Sequence, residues 1–75
     1  MTTDGYAVIL VYATSHAIRV EKLLAEAGIP CKMIPVPRHL SSDCGSCIRI
    51  QQGDMVAARR VVEAAAIEVE SIQPI

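Results

Sequence analysis

The stretch Arg38–Cys47, RHLSSDCGSC, places two thiols, Cys44 and Cys47, three residues apart in a polar segment of an otherwise aliphatic chain. A Cys-x-x-Cys spacing lets two sulfurs reach disulfide distance or share a metal ion. The third cysteine, Cys31, makes the number odd, so the three cannot all pair within one chain. In a reducing compartment such a pair is more often reactive or metal-binding than a structural staple. Three chemistries stay open at this point. Cys44 and Cys47 could be reactive thiols, or zinc ligands together with Cys31 and His39 or His16, or small hydrophobes that only pack. Zinc would require Cys31 from the far end of a neighbouring strand. Arg38, Arg49 and His39 are placed to lower the pKa of Cys44 or to neutralise an anionic sulfur adduct, while the adjacent Asp43 opposes this.

The elements that must position these thiols follow from hydrophobic patterning. YAVILVYA (6–13) is an uninterrupted apolar, β-branched run, as expected of a central strand buried on both faces. In TSHAIRVEKLLAEAG (14–28), Ala17, Val20, Leu23, Leu24 and Ala27 recur at helical spacing. Thr14 or Ser15 can cap that helix, and Gly28 can take the left-handed position that ends it. IPCKMIPVPR (29–38) is extended, and its three prolines remove ladder donors, which predicts an edge strand. SCIRIQQ (46–52) alternates, with Ile48 and Ile50 on one face and Cys47, Arg49 and Gln51 on the other. Asp54 is expected to cap a second helix, MVAARRVVEAAA (55–66), with Ala58, Val61, Val62 and Ala65 as its apolar stripe. IEVESI (67–72) is expected to close the chain as a strand, Ile67 and Val69 inward, Glu68 and Glu70 outward.

This order predicts one α+β domain over residues 1–75, a ferredoxin-like βαββαβ fold with a four-stranded antiparallel sheet and two helices on one face. Right-handed crossovers put the first strand beside the third and fourth, leaving the second and fourth at the edges. The turn into the first helix and the loop at Arg38–Cys47 then emerge at the same end of the sheet. Thr14, Ser15 and His16 should face that loop, and a helix N-terminus favours an anion such as a thiolate or persulfide. On the face without helices, one set of residues from Tyr6, Val8, Leu10, Tyr12 or Ala7, Ile9, Val11 should leave an apolar stripe, which predicts homodimerisation through the open sheet face. Arg49 is placed to pair with Glu68 or Glu70 across that face. Solvation at a strand end is the alternative for Arg38, and it fits Arg38 less well than ion pairing fits Arg49; Cys31 is expected to pack beside Met33, and Arg59 and Arg60 to lie on the outer side of the second helix.

Composition removes several function classes. Seven basic and eight acidic residues, with no Trp or Phe, give neither a basic face for a phosphate backbone nor a platform for stacked bases, so no nucleic-acid partner is expected. The segment MTTDG is not a basic leader, and the longest apolar run, residues 7–13, is too short to span a bilayer. The expectation is a cytoplasmic protein with no membrane partner. No acid/base pair or nucleotide loop is apparent, which disfavours a self-contained enzyme. Because the Cys pair lies between two strands and does not open a helix, thioredoxin-like dithiol exchange is disfavoured too.

The strings TSHAIRVEKLLAEAGIP and PVPRHLSSDCGSCIRI resemble the selenium/sulfur carrier-like proteins, a small bacterial family whose domain has no assigned function. The resemblance runs from Tyr6 to about Ala66. Its most specific part is Pro37, Arg38, Ser41, Ser42, Asp43, Cys44 and Gly45. It implies that Cys44 carries sulfur or selenium as a transient persulfide or selenopersulfide, with no resident cofactor or metal, between a cysteine desulfurase-like donor and an acceptor enzyme. Cys47 would then be a resolving thiol. The residues are compatible with this chemistry: Ser41 and Ser42 can donate hydrogen bonds to an anionic sulfur, Gly45 gives the backbone freedom to turn its N–H toward it, and Cys47 could release the cargo by attacking Cys44. Two rival readings are an anion- or metabolite-binding regulatory module, using Arg38, Ser15 and His16 with redox-sensitive cysteines, and a small zinc-binding module.

Overall fold

Tyr6–Leu10 forms β1, and from Ala7 to Val11 the backbone carries five consecutive buried aliphatic side chains. Burial on both faces is possible only in the middle of a sheet covered on both sides. The computed structural model describes residues 5–40 and 45–75. After β1 come α1 (Thr14–Glu26), β2 (Cys31–Pro35), β3 (Ser46–Gln51), a 3-10 turn (Gln52–Asp54), α2 (Met55–Ala64) and β4 (Ser71–Pro74). The four strands form one sheet in the order β2-β3-β1-β4, and every neighbouring pair is antiparallel. The architecture is α+β, with β1 between β3 and β4 and with the proline-bearing β2 at an edge, as the apolar run and the prolines require.

Both helices pack on one face. Ala7 and Ile9 of β1, Ile48 and Ile50 of β3 and Ile72 of β4 meet Ala17, Val20 and Leu24 of α1 and Ala58 and Val62 of α2 in a single buried cluster. Each fully buried Ile or Leu stabilises the fold by about 1.5–3 kcal/mol through apolar area removed from water. The opposite face holds a second, smaller cluster of Val8, Leu10 and Cys47, against which Ile34, Val36 and Leu40 pack. Val8 and Leu10 therefore do not form an exposed stripe: the chain that follows β2 folds back over them. Tyr6, at the start of β1, and Tyr12, in the bend that follows it, remain exposed.

Both helices end on the same device. Gly28 N–H donates to the Ala25 carbonyl and Ile29 N–H to the Leu24 carbonyl, closing α1 with Gly28 at φ +78°. Ala66 N–H donates to Glu63 and Ile67 N–H to Val62, closing α2 in the same pattern with Ala66 at φ +56°. This paired 5→2 and 6→1 arrangement is the Schellman motif, which needs a left-handed residue just past the helix. At α2 that residue is not glycine, so the motif has no sign in the sequence.

Three local expectations are corrected. The last strand starts at Ser71, not Ile67: Ile67 and Val69 pack on the core without strand pairing, because the Ala66 turn sends the chain across the sheet edge before Glu70 N–H reaches the Leu10 carbonyl at 2.6 Å. The N-cap of α1 is Ala13, whose carbonyl accepts from His16 and Ala17, so Thr14 and Ser15 are inside the helix. Asp54 occupies the N-cap position of α2 but makes no side-chain cap hydrogen bond, since the 3-10 turn before it gives it a non-extended backbone.

Candidate functional site

The thiol-bearing connection leaves β2 at Pro35 and enters β3 at Ser46. Val36 N–H donates to the Gly45 carbonyl at 3.2 Å, which extends the β2–β3 hairpin by one pair, and Leu40 N–H donates to the Pro37 carbonyl at 3.0 Å, closing a turn over residues 37–40. This turn exposes Arg38 and His39 and directs Val36 and Leu40 onto the sheet. Gly45 is exposed at φ +79°, with nothing within 4 Å of where a Cβ would stand. The constraint on Gly45 is thus backbone conformation, not space. Ser41, Ser42, Asp43 and Cys44 lie outside the described residues.

Cys47 is fully buried. On β3 it stands opposite Leu10 of β1 and Ile34 of β2, on the face away from the helices, and its Sγ donates to the Pro35 carbonyl at 3.9 Å. Among the described residues, Ile34, Val36 and Leu40 pack against it. In this arrangement the thiol is shielded from solvent and from any second protein, with Val36 and Leu40 among the side chains over it. The sequence singles out Leu40 only as the lone leucine in a polar run; its spacing from Ile34 and Val36 is the one sign that the run turns back onto the sheet.

The start of α1 and the 36–45 connection share an end of the sheet, because Leu10, from which the chain turns toward α1, is paired with Cys47. Within that connection, Val36 and Leu40 pack on the face away from the helices, with Cys47, whereas α1 packs on the cluster that contains Ile48 and Ile50. Ser15 is exposed. His16 is half-buried, and its Nδ1 is covered without a hydrogen-bond partner.

Cys31 is on the helix-covered side, where its Sγ donates to the Glu21 carbonyl at 3.6 Å. Burial pushes this thiol's pKa up, and the Glu21 carboxylate adds to the shift, so Cys31 is held in its neutral, weakly nucleophilic form. Cys31 and Cys47 therefore face opposite sides of the sheet and cannot ligate one ion together. Among the described residues no three His, Cys, Asp or Glu side chains converge as a metal site. Arg49 does not pair with Glu68 or Glu70. Those residues precede β4, and the guanidinium instead lies over the Tyr6 ring, 4.4 Å from its centroid.

Among the described residues no helix is long and apolar enough to cross a membrane. Comparison with curated proteins and with solved structures returned no match. The family model described as "Putative Se/S carrier protein-like" matches residues 6–74, which takes in every strand and helix and the whole connection around Cys44. With the match spanning the complete sheet and both helices, the chain belongs to this Se/S carrier protein-like family.

Proposed function

We propose that the protein is a non-enzymatic carrier of sulfane sulfur or selenium and that Cys44 is the thiol that holds the cargo. The observation that carries this reading is membership of the Se/S carrier protein-like family over residues 6–74. The arrangement of elements supports a ferredoxin-like scaffold: the order βαββαβ with the sheet order β2-β3-β1-β4 puts both helices on one face and the 36–45 connection at one end.

Loading is a thiol exchange. The Cys44 thiolate attacks the outer sulfur of a persulfide on a desulfurase-like donor. A new S–S bond forms at Cys44, the donor's S–S bond breaks, and the donor cysteine leaves as its thiolate. Ser41, Ser42 and the exposed Arg38 are the groups of this chain suited to hold the resulting anion, and the left-handed Gly45 next to Cys44 supports a backbone turned toward it.

Two routes of release follow. An acceptor can attack the outer sulfur directly, which needs only Cys44. Alternatively Cys47 attacks the Cys44 sulfur, expels hydrosulfide and leaves a Cys44–Cys47 disulfide. The full burial of Cys47 favours direct hand-over. A homodimer through the open face would have to be built on Tyr6, Tyr12 and the polar residues around them, since Val8 and Leu10 are already covered; sedimentation equilibrium tests it.

The test of the carrier reading is intact mass after incubation with a cysteine desulfurase and cysteine. A reducible sulfur adduct is expected on the native chain and on Cys47→Ser and is expected to vanish with Cys44→Ser. No adduct on the native chain, under conditions that load a known carrier, removes the proposal.

A further inference from the structure

The face of the sheet without helices changes character along its length. Near Leu10 it is apolar and covered; toward Tyr6 it is cationic and open. Alternation along β2 puts Lys32 on the same side as Ile34, alternation along β3 puts Arg49 on the same side as Cys47, and the ladder sets Lys32 directly opposite Arg49. Side chains so paired have Cβ atoms about 5 Å apart, and like charges on directly opposite residues are destabilising. Among the described residues neither cation forms an ion pair; the guanidinium of Arg49 stacks on Tyr6. A cleft of about 290 Å³ opens beside them at this end of the sheet, bounded by Tyr6, Pro30, Cys31, Lys32, Arg49, Ile50 and Gln51.

We propose that this cleft binds a dianionic tetrahedral oxyanion, either free or as the phosphoryl group of a small metabolite. Two facing positive charges are relieved by a ligand carrying two negative ones. Stacking holds the guanidinium by its face and leaves the N–H edge, whose fork fits two oxygens of such an anion, while Lys32 supplies a point charge from the other side. The Tyr6 hydroxyl and the Gln51 amide add neutral donors at the rim. The volume falls just below the range of small-molecule sites, about 300–1,000 Å³, and so suits an inorganic ion or a compact metabolite. Lys32 and Arg49 stand three residues, about 10 Å, along their strands from Pro35 and Ser46, toward the end of the sheet where Cys31 and Gln51 lie.

The experiment is an amide-resolved NMR titration of the full, cargo-free chain with inorganic phosphate and, separately, with glycerol 3-phosphate, at constant ionic strength to hold screening fixed. Saturable shifts are expected at Lys32, Arg49 and Gln51. Lys32→Gln removes an exposed charge without touching the core, so its spectrum should otherwise match the native one while affinity falls about tenfold or more. Arg49→Lys keeps the charge and loses the fork, and should weaken binding as well. Tighter binding of glycerol 3-phosphate assigns the site to a phosphorylated metabolite, and equal or weaker binding assigns it to the free ion; both uphold the proposal. Linear shifts that never saturate, or an affinity unchanged in Lys32→Gln, overturn it.

Discussion

If residues 36–40 are the barrier over Cys47, shortening one of the two side chains that form it should expose the thiol without unfolding the sheet. Leu40→Ala, made with Cys31→Ala and Cys44→Ser so that Cys47 is the only thiol left, is the perturbation. Full burial of a leucine is worth about 1.5–3 kcal/mol, and Leu40 is half-buried, so the truncation should remove about 1 kcal/mol from the closed state. At 1.4 kcal/mol per factor of ten, the open population rises about fivefold. With opening fast relative to chemistry, the alkylation rate of Cys47 tracks that population and rises by the same factor. The assay is a time course of iodoacetamide labelling read by intact mass under native conditions. Ile9→Val serves as the control: it removes one methylene from the helix-covered core, costs about 1 kcal/mol of global stability and leaves the cover on Cys47 untouched. Labelling accelerated by Leu40→Ala but not by Ile9→Val is the expected result. Equal acceleration by both would mean that only global unfolding exposes Cys47, and the argument that residues 36–40 gate it would be refuted.

The helix ends give a reciprocal pair of substitutions. Ala66 is exposed and left-handed, a conformation that costs an L-residue about 1–2 kcal/mol, so Ala66→Gly should raise the melting temperature by about 4 °C once the extra freedom of glycine in the unfolded chain is subtracted. Gly28→Ala places a Cβ in open space, so its cost of about 1 kcal/mol is purely conformational; calorimetry that found it neutral would contradict the Schellman assignment. Cys31 supplies a pH dependence. Its folded pKa stands above the unfolded one, so its contribution to stability is fully present below the unfolded thiol value of about 8.5 and is lost as pH rises through the folded value. Urea midpoints should therefore fall above about pH 8.5, and Cys31→Ala should flatten that part of the profile. In the core, Ile9→Ala should cost about 2–5 kcal/mol, enough to leave a domain of this size largely unfolded at physiological temperature, as far-ultraviolet circular dichroism would register.

Much of the scaffold is legible in the sequence because the signals are strong where geometry is most constrained. The doubly apolar run at Ala7–Val11 can only be a central strand, the prolines around Cys31 and Met33 only an edge, and the alternation at Ile48 and Ile50 fixes which side of β3 meets the helices. What escapes is where one element gives way to the next. Nothing in the sequence marks Ala66 as left-handed, so Ile67 and Val69 read as strand although the ladder begins four residues later. Ala13 has no side-chain acceptor, so Thr14 and Ser15 read as caps. For the site, the polarity of RHLSSDCGSC hides that Leu40 folds inward, and with it the burial of Cys47. Arg49 was legible as a residue of the open face, but not as a partner of Tyr6, because that contact depends on the register between β1 and β3.

The prolines that identify β2 as an edge have a consequence for life at high concentration. An exposed strand border is a template on which a second copy can add, and a chain with 52% hydrophobic residues has ample material for the stacked sheets of a fibril. Here β2 is preceded by Pro30 and ends at Pro35, with the charged Lys32 between them, and the other border, β4, is four residues long and ends at Pro74. Growth of the sheet past its fourth strand meets a missing donor on either side, so the prolines that mark β2 as an edge also oppose the addition of a further strand there.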